Sequence, residues 1–192
     1  MIDYFALLDQ PRAPWLDPEK LKQVFHQKTL LAHPDAAPSG ESENSFAQLN
    51  EAYQVLQDPK RRLHHLLDLE GHAPSSSDQA VPQELHDLFP AIGELAQGAN
   101  VLLEKTRTAS NALSRSLLKA QILAMQKETK ELREKIQGVS DASLAQLRLV
   151  DSRWQNDPAK EIAALSNLYF TFAYLTRWSA QLDELAFQFS AL

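Results

Sequence analysis

Residues 30–62, LLAHPDAAPSGESENSFAQLNEAYQVLQDPKRR, decide the fold. An apolar segment runs into His33, Pro34 and Asp35, and a stretch of Ala, Pro, Ser and Gly follows. Beyond it Phe46, Leu49, Tyr53 and Leu56 recur at three- and four-residue spacing. That spacing predicts a helix from about Glu43 to Gln57 with one apolar face, broken by Asp58-Pro59. Upstream, Asp17 is placed to cap a helix with Pro18 at its first position and Leu21, Val24, Phe25 and Leu31 on its apolar side. That helix must stop before Pro34, whose ring disfavours a helical residue ahead of it. Two antiparallel helices leave their connection protruding. Pro34 stiffens it, so His33 and Asp35 are offered as donor and charged acceptor with little conformational freedom left to lose.

Working outward, Asp3 can cap the helical segment YFALL, which Pro11 and Pro14 close. After Pro59, Leu63, Leu66, Leu67 and Leu69 give a fourth helix an apolar face that Gly71 ends. The run HAPSSSDQAVP, residues 72–82, has linker chemistry. The expected layout is therefore a domain over 1–72, a linker over 73–81 and a second domain over 82–192. In the latter Leu85, Leu88, Ile92, Leu95, Ala99 and Leu102 mark one helix, which Pro90, Gly93 and Gly98 should kink or weaken. Leu118, Ile122, Met125, Thr129, Leu132 and Ile136 mark another, which Gly138 should end or bend. Leu165, Leu168, Phe172, Leu175, Leu182 and Phe189 mark the last. The fold class is all-α: a helical hairpin with flanking short helices, then a bundle of about three long helices.

Composition narrows the function. The chain has 192 residues, no cysteine, 5 glycines and a net charge of −6. The missing thiols exclude disulfides, thiolate nucleophiles and cysteine-held metals, and the acidic balance argues against nucleic-acid or anionic-membrane binding. The longest apolar stretch, near LYFTFAYL, is short of the roughly 20 residues that cross a bilayer. With no leader visible in the sequence, the expected location is the cytoplasm, with a bacterial source. No metal site is expected: His26 and His33 lie about 10 Å apart along a helix axis, and His64 with Asp68 lacks a third ligand. No catalytic residue is expected either, since no nucleophile motif accompanies His33 and Asp35.

HPD after an amphipathic helix, followed by FAQLNEAYQVLQDPKRR, resembles a J-domain, the module by which co-chaperones stimulate ATP hydrolysis by DnaK-type chaperones. The N-terminal position of the module, the helix ending LHHLLDLEG, and the helical C-terminal part with segments such as AALSNLYFTFAYLTRWSAQLDEL resemble the HscB family of J-domain co-chaperones. The resemblance implies an activator, not an enzyme, with no cofactor of its own. Its partners would be a DnaK-type chaperone and a scaffold for iron-sulfur cluster assembly. It further implies chaperone contacts through His33, Pro34 and Asp35, with Lys20, Lys22, His26 and Lys28 steering onto an acidic surface. Leu88, Phe89, Ile92 and Phe170 are the residues comparable to the family's client face. Ala32 and Ala36 stand where the family often has an aromatic and a basic residue. Its acidic, leucine-rich client surface is not recovered in LHDLFPAIGELAQGANVLLEK.

Two other readings stay open on the residues: an adapter for a different client, and an assembly protein that keeps the J-fold for packing. The row Phe170, Tyr174 and Trp178 fits either a core or a binding surface, with packing favoured by the enrichment of aromatics in cores.

Overall fold

Aspartates start three of the helices. The computed structural model describes residues 2–31, 41–75 and 81–191. In it the Asp3 carboxylate accepts from the N–H groups of Phe5 (3.0 Å) and Ala6 (3.2 Å), opening α1 (Tyr4–Leu7). Asp17 accepts from Glu19 (3.0 Å) and Lys20 (3.3 Å) at the start of α2 (Pro18–Leu31). After α3 (Glu41–Gln57), Asp58 accepts from the Arg61 N–H at 2.8 Å and opens α4 (Pro59–Leu69). Each cap satisfies N–H groups that a helix cannot pair internally, an effect worth about 1 kcal/mol. Gly71, at φ +77°, ends α4: its N–H donates to Asp68 O and that of His72 to Leu67 O. This paired closure needs a left-handed residue, which glycine adopts without strain.

The chain continues through a short 3-10 turn (Gln83–Leu85) into α5 (Leu88–Thr108), α6 (Ala112–Trp154) and α7 (Pro158–Ser190). Among the described residues the elements are helical and no strand occurs, the all-α class expected. Pro90 does not kink α5, because it falls in the first turn, where an N–H has no partner to lose. Gly138 does not end α6, which runs for 43 residues. Buried Ile136 and Ser143 on either side outweigh the roughly 1 kcal/mol that a helical glycine costs.

The helices form two compact units, residues 1–79 with 144–170, and residues 80–143 with 171–192. The long helices α6 and α7 contribute to both, whereas the layout expected from sequence followed chain order. In the first unit Phe5, Leu21, Leu49, Leu56, Leu63 and Leu66 are buried, and Phe25 stacks on Tyr53 with ring centroids 4.3 Å apart, joining α2 to α3. The loop before α2 is held from the end of α6. Trp15 N–H donates to Asp151 at 3.1 Å, Trp154 Nε1 donates to Arg12 O at 3.0 Å, and the Arg148 guanidinium lies 5.1 Å from the centre of the Trp15 ring.

Arg62 is the charged centre of this unit. It is buried, with Nε donating to Pro14 O at 2.8 Å and a terminal nitrogen to Leu56 O at 2.6 Å. Burial lowers its guanidinium to about 10, with Asp58 and Asp151 working the other way, so it stays charged at neutral pH.

Two apolar stripes bury less than their periodicity implies. Phe46 is 40% exposed and Leu31 79% exposed, as is the neighbouring Leu30 at 73%. These residues sit toward the ends of α2 and α3 that flank residues 32–40. Periodicity marks a face without marking where its cover ends.

In the second unit Leu88, Ile92, Leu95, Ala99 and Leu102 of α5 are buried, as are Leu132 and Ile136 of α6. Gln126 donates to Phe189 O at 3.1 Å and Arg133 pairs with Asp183 at 2.6 Å, so contacts step back along α7 as they advance along α6: the packing is antiparallel. A Cβ at Gly98 would meet Met125 Cε at 3.2 Å, tighter than most real contacts, so glycine there allows a close approach of α5 to α6.

Replacing Arg62 by Met should lower the unfolding free energy by about 2 kcal/mol or more, because two buried carbonyls lose their donors. The same change at exposed Arg61 should cost within about 0.5 kcal/mol. Urea titration of the two variants checks the contrast.

Candidate functional site

The hairpin of α2 and α3 is the frame for the site read from the sequence. His33, Pro34 and Asp35 lie outside the described residues, between Leu31 at the end of α2 and Glu41 at the start of α3. What the structure gives is the base of that connection. Leu21 and Leu49 are buried between the helices, and the Phe25–Tyr53 stack lies farther along α2.

The four steering candidates of α2 separate. Lys20, Lys22 and His26 are exposed. Lys22 and His26 are four residues apart and share one side of the helix. Lys28 lies nearer the side that Leu21 and Phe25 bury, and its ammonium is paired with Asp9 at 2.8 Å. Its charge is partly neutralised within the chain, so it is the weakest of the four as a steering group.

The client candidates also separate. Leu88 is 6% exposed, Ile92 4% and Phe170 7%; Phe89 alone of the four is well exposed, at 40%. Leu88, Phe89 and Ile92 belong to the second unit, whereas Phe170 belongs to the first. Phe170 is held edge-on against Tyr169, ring centroids 5.1 Å apart. Of the two roles open to Phe170, its burial is that of a core residue and not of an exposed client face. Trp178 is likewise buried, and Phe89 lies edge-on to it at 5.1 Å and to Tyr174 at 5.3 Å.

Two residues that the sequence reading passed over set the position of α1 on α4. His65 is buried and its Nε2 accepts the Tyr4 N–H at 3.1 Å, which places the ring proton on Nδ1. The ring lies 4.6 Å from that of Tyr4 and 5.7 Å from that of Phe5. Burial pushes the imidazole below its ordinary value of 6.5, although Asp3 and Asp68 pull it upward. Asp3 feels burial too, but Arg12 at 2.8 Å and the capped N–H groups outweigh it and hold the carboxyl low. The signal for His65 was its i, i+4 spacing with Leu69 on α4, which reads as a satisfied core histidine. Among the described residues no group of three or more His, Cys, Asp or Glu is placed to hold a metal ion, and no helix is long and apolar enough to cross a membrane.

Comparison with known proteins agrees with this frame. Residues 3–65 match the DnaJ domain family. The chain is 32% identical over 106 residues to DnaJ homolog subfamily B member 3 of Homo sapiens, covering 54% of this chain and 70% of that one. It is 39% identical over 71 residues to Chaperone protein DnaJ 2 of Aquifex aeolicus, covering 37% of this chain and 18% of that one. The chain belongs to the DnaJ family of J-domain proteins. It spans 18% of the length of the Aquifex aeolicus relative. Over nearly its whole length the fold is that of the HscB co-chaperones. Chaperone HscB from Vibrio cholerae aligns with 98% of this chain and 99% of its own at 20% identity and a TM-score of 0.56. The human co-chaperone protein HscB aligns with 95% and 81% at 21% identity and a TM-score of 0.50.

The lowered imidazole of His65 has a consequence with a definite sign. A neutral ring is preferred in the fold, so its contribution is complete above pH 6.5, the ordinary value, and is lost as pH drops from there through the lower folded value. Protonation also turns Nε2 from acceptor to donor against the Tyr4 N–H. Urea midpoints measured between about pH 7.5 and about pH 5.5 should fall more steeply in the wild type than in His65→Gln, whose side chain does not titrate.

Proposed function

We propose that this protein is a co-chaperone that stimulates ATP hydrolysis by a DnaK-type chaperone, with His33, Pro34 and Asp35 as the point of contact. The observation that carries the reading is the position of the tripeptide. It falls in the connection between α2 and α3, within the residues that match the DnaJ domain. A stacked and capped hairpin is a rigid base, and a polar tip on a rigid base binds with little ordering cost. The chain contributes no nucleophile in this mechanism. It acts by binding the partner's ATPase-competent state more tightly than the other state, which is what shifts a conformational equilibrium. Lys22 and His26, exposed on one side of α2, would steer the encounter with an acidic surface, and Lys20 would add to the field. The reading places the protein in the cytoplasm.

The client in this reading is a scaffold for iron-sulfur cluster assembly, supported by the HscB-like fold of the chain. Of the residues compared with the family's client face, Phe89 keeps this role, since its ring is accessible while Leu88, Ile92 and Phe170 are packed. An adapter for another client remains the second reading, favoured by that burial of three candidates.

Asp35→Asn should leave helical content and melting nearly unchanged and abolish stimulation of the partner's ATPase, because a charge-assisted hydrogen bond at a contact is worth about 1.5 to 3 kcal/mol. Full stimulation by the folded variant would sink the mechanism. Association should also slow as salt rises, with Lys22→Gln reducing the on-rate more than Lys28→Gln, whose charge is already paired to Asp9. Phe89→Ala should weaken capture of a purified scaffold while ATPase stimulation without client stays normal. Unchanged capture would move the client reading to the adapter.

A further inference from the structure

The first unit holds a second cationic surface, remote in sequence from the α2 cations and unused by the co-chaperone reading. Most of its cations are accounted for internally. Arg12 pairs with Asp3, Lys28 with Asp9, Arg153 with Glu161 and Lys160 with Asp157. Arg62 is spent on two carbonyls and Arg148 on the Trp15 ring. Among the described residues of the unit, Lys20, Lys22, Lys60 and Arg61 make no ion pair within 4.0 Å. The first two stand on α2. The other two open α4, and His64 follows one turn later, exposed.

These α4 residues edge a groove of about 280 Å³ whose apolar part is made by Val55 of α3, Tyr4 of α1 and Tyr169 of α7. The His64 and Tyr169 rings meet at 5.5 Å, and buried His65 closes the floor against Tyr4 at 4.6 Å. Burial raises the Tyr4 hydroxyl above its ordinary value, Glu51 adds to the rise and Arg61 opposes it, so the ring stands between an acid of α3 and a cation of α4. The groove thus has two chemistries: an aromatic and aliphatic floor, and a rim carrying Lys60 and Arg61, neither of them in an ion pair.

We propose that this groove binds an acidic peptide segment of a partner protein, with an aliphatic or aromatic side chain lying between Tyr4 and Tyr169 and neighbouring carboxylates meeting Lys60 and Arg61. A free small anion would leave the apolar floor wet, whereas a purely apolar segment would leave both cations unanswered. Acidic-motif recognition by clustered cations beside a hydrophobic pocket uses both. A polyanion such as nucleic acid is disfavoured by the net charge of −6, because two cations do not offset repulsion from the rest of the surface. The proposal does not depend on the chaperone contact, since it uses neither the tripeptide nor the α2 cations.

The test uses the full chain and a short fluorescein-labelled peptide of glutamates around one leucine and one phenylalanine, read by anisotropy at low salt. The wild type should bind it, and the tyrosine ring signals of Tyr4 and Tyr169 should shift in NMR spectra. Lys60→Gln with Arg61→Gln should weaken binding at least tenfold, about 1.4 kcal/mol. The pair Lys20→Gln with Lys22→Gln should bind as the wild type does. Lys20, Lys22 and Arg61 are exposed and Lys60 is half-buried without an ion pair, so circular dichroism of both double variants should match the wild type. The proposal is overturned if the wild type does not bind, if the glutamine version of the peptide binds as well, or if the α2 pair matters as much as the α4 pair. It is also overturned if inorganic phosphate perturbs the two tyrosines as the peptide does, which would mark a simple anion site.

Discussion

A guanidinium buried on two backbone carbonyls is the constraint on which the N-terminal unit rests. An isolated charge is costly to remove from water, and Arg62 is tolerated because Pro14 O and Leu56 O lie within hydrogen-bond distance. The converse follows. Neither carbonyl is free to drift, since a buried arginine without acceptors costs several kcal/mol. The loop before α2 and the end of α3 are therefore held to α4 together. Asp17, which starts α2, lies three residues beyond Pro14, so the entry of the hairpin is set from the same point. Trp15 and Arg12 extend the hold to the end of α6.

Local rules were legible because their signals are local. The caps at Asp3 and Asp17, the break at Asp58-Pro59, the stop at Gly71, and the apolar stripes of α5 and α6 each depend on a few neighbouring residues, and each is found where the pattern puts it. What was not legible depends on partners far along the chain. Nothing in LLDQPRAPW shows that it is gripped by Asp151 and Trp154, so chain order was a poor guide to the compact units. Arg62 within PKRR reads like its exposed neighbours until Pro14 is placed above it. Phe170 was drawn toward function by its match to an aromatic, because its place beside the apolar stripe left core and surface both open.

The site divides along the same line. The hairpin of α2 and α3 is a matter of packing, with Leu21 and Leu49 buried and Phe25 stacked on Tyr53. Activity would reside in side chains that the fold does not need. That separation is common in recognition modules: a scaffold carries the stability, and a loop carries the contact. Leu30, Leu31 and Phe46 belong to neither class cleanly. Their periodicity is that of a core and their exposure is that of a surface, and they flank the tripeptide in the chain.

The discontinuous make-up of the N-terminal unit sets an order of events during synthesis. Domains commonly fold as they emerge, N-terminal first. Here the residues matched as a J-domain are made first, while Asp151, Trp154 and Tyr169, which complete that unit, follow only after residues 80–143 of the other unit. At ordinary elongation rates the residues between 79 and 170 take roughly 5 to 20 s to add. Throughout that interval Trp15 and the backbone around Arg12 lack the cover they will have. The nascent hairpin can form on its local caps, but the loop that anchors it waits for Asp151 and Trp154.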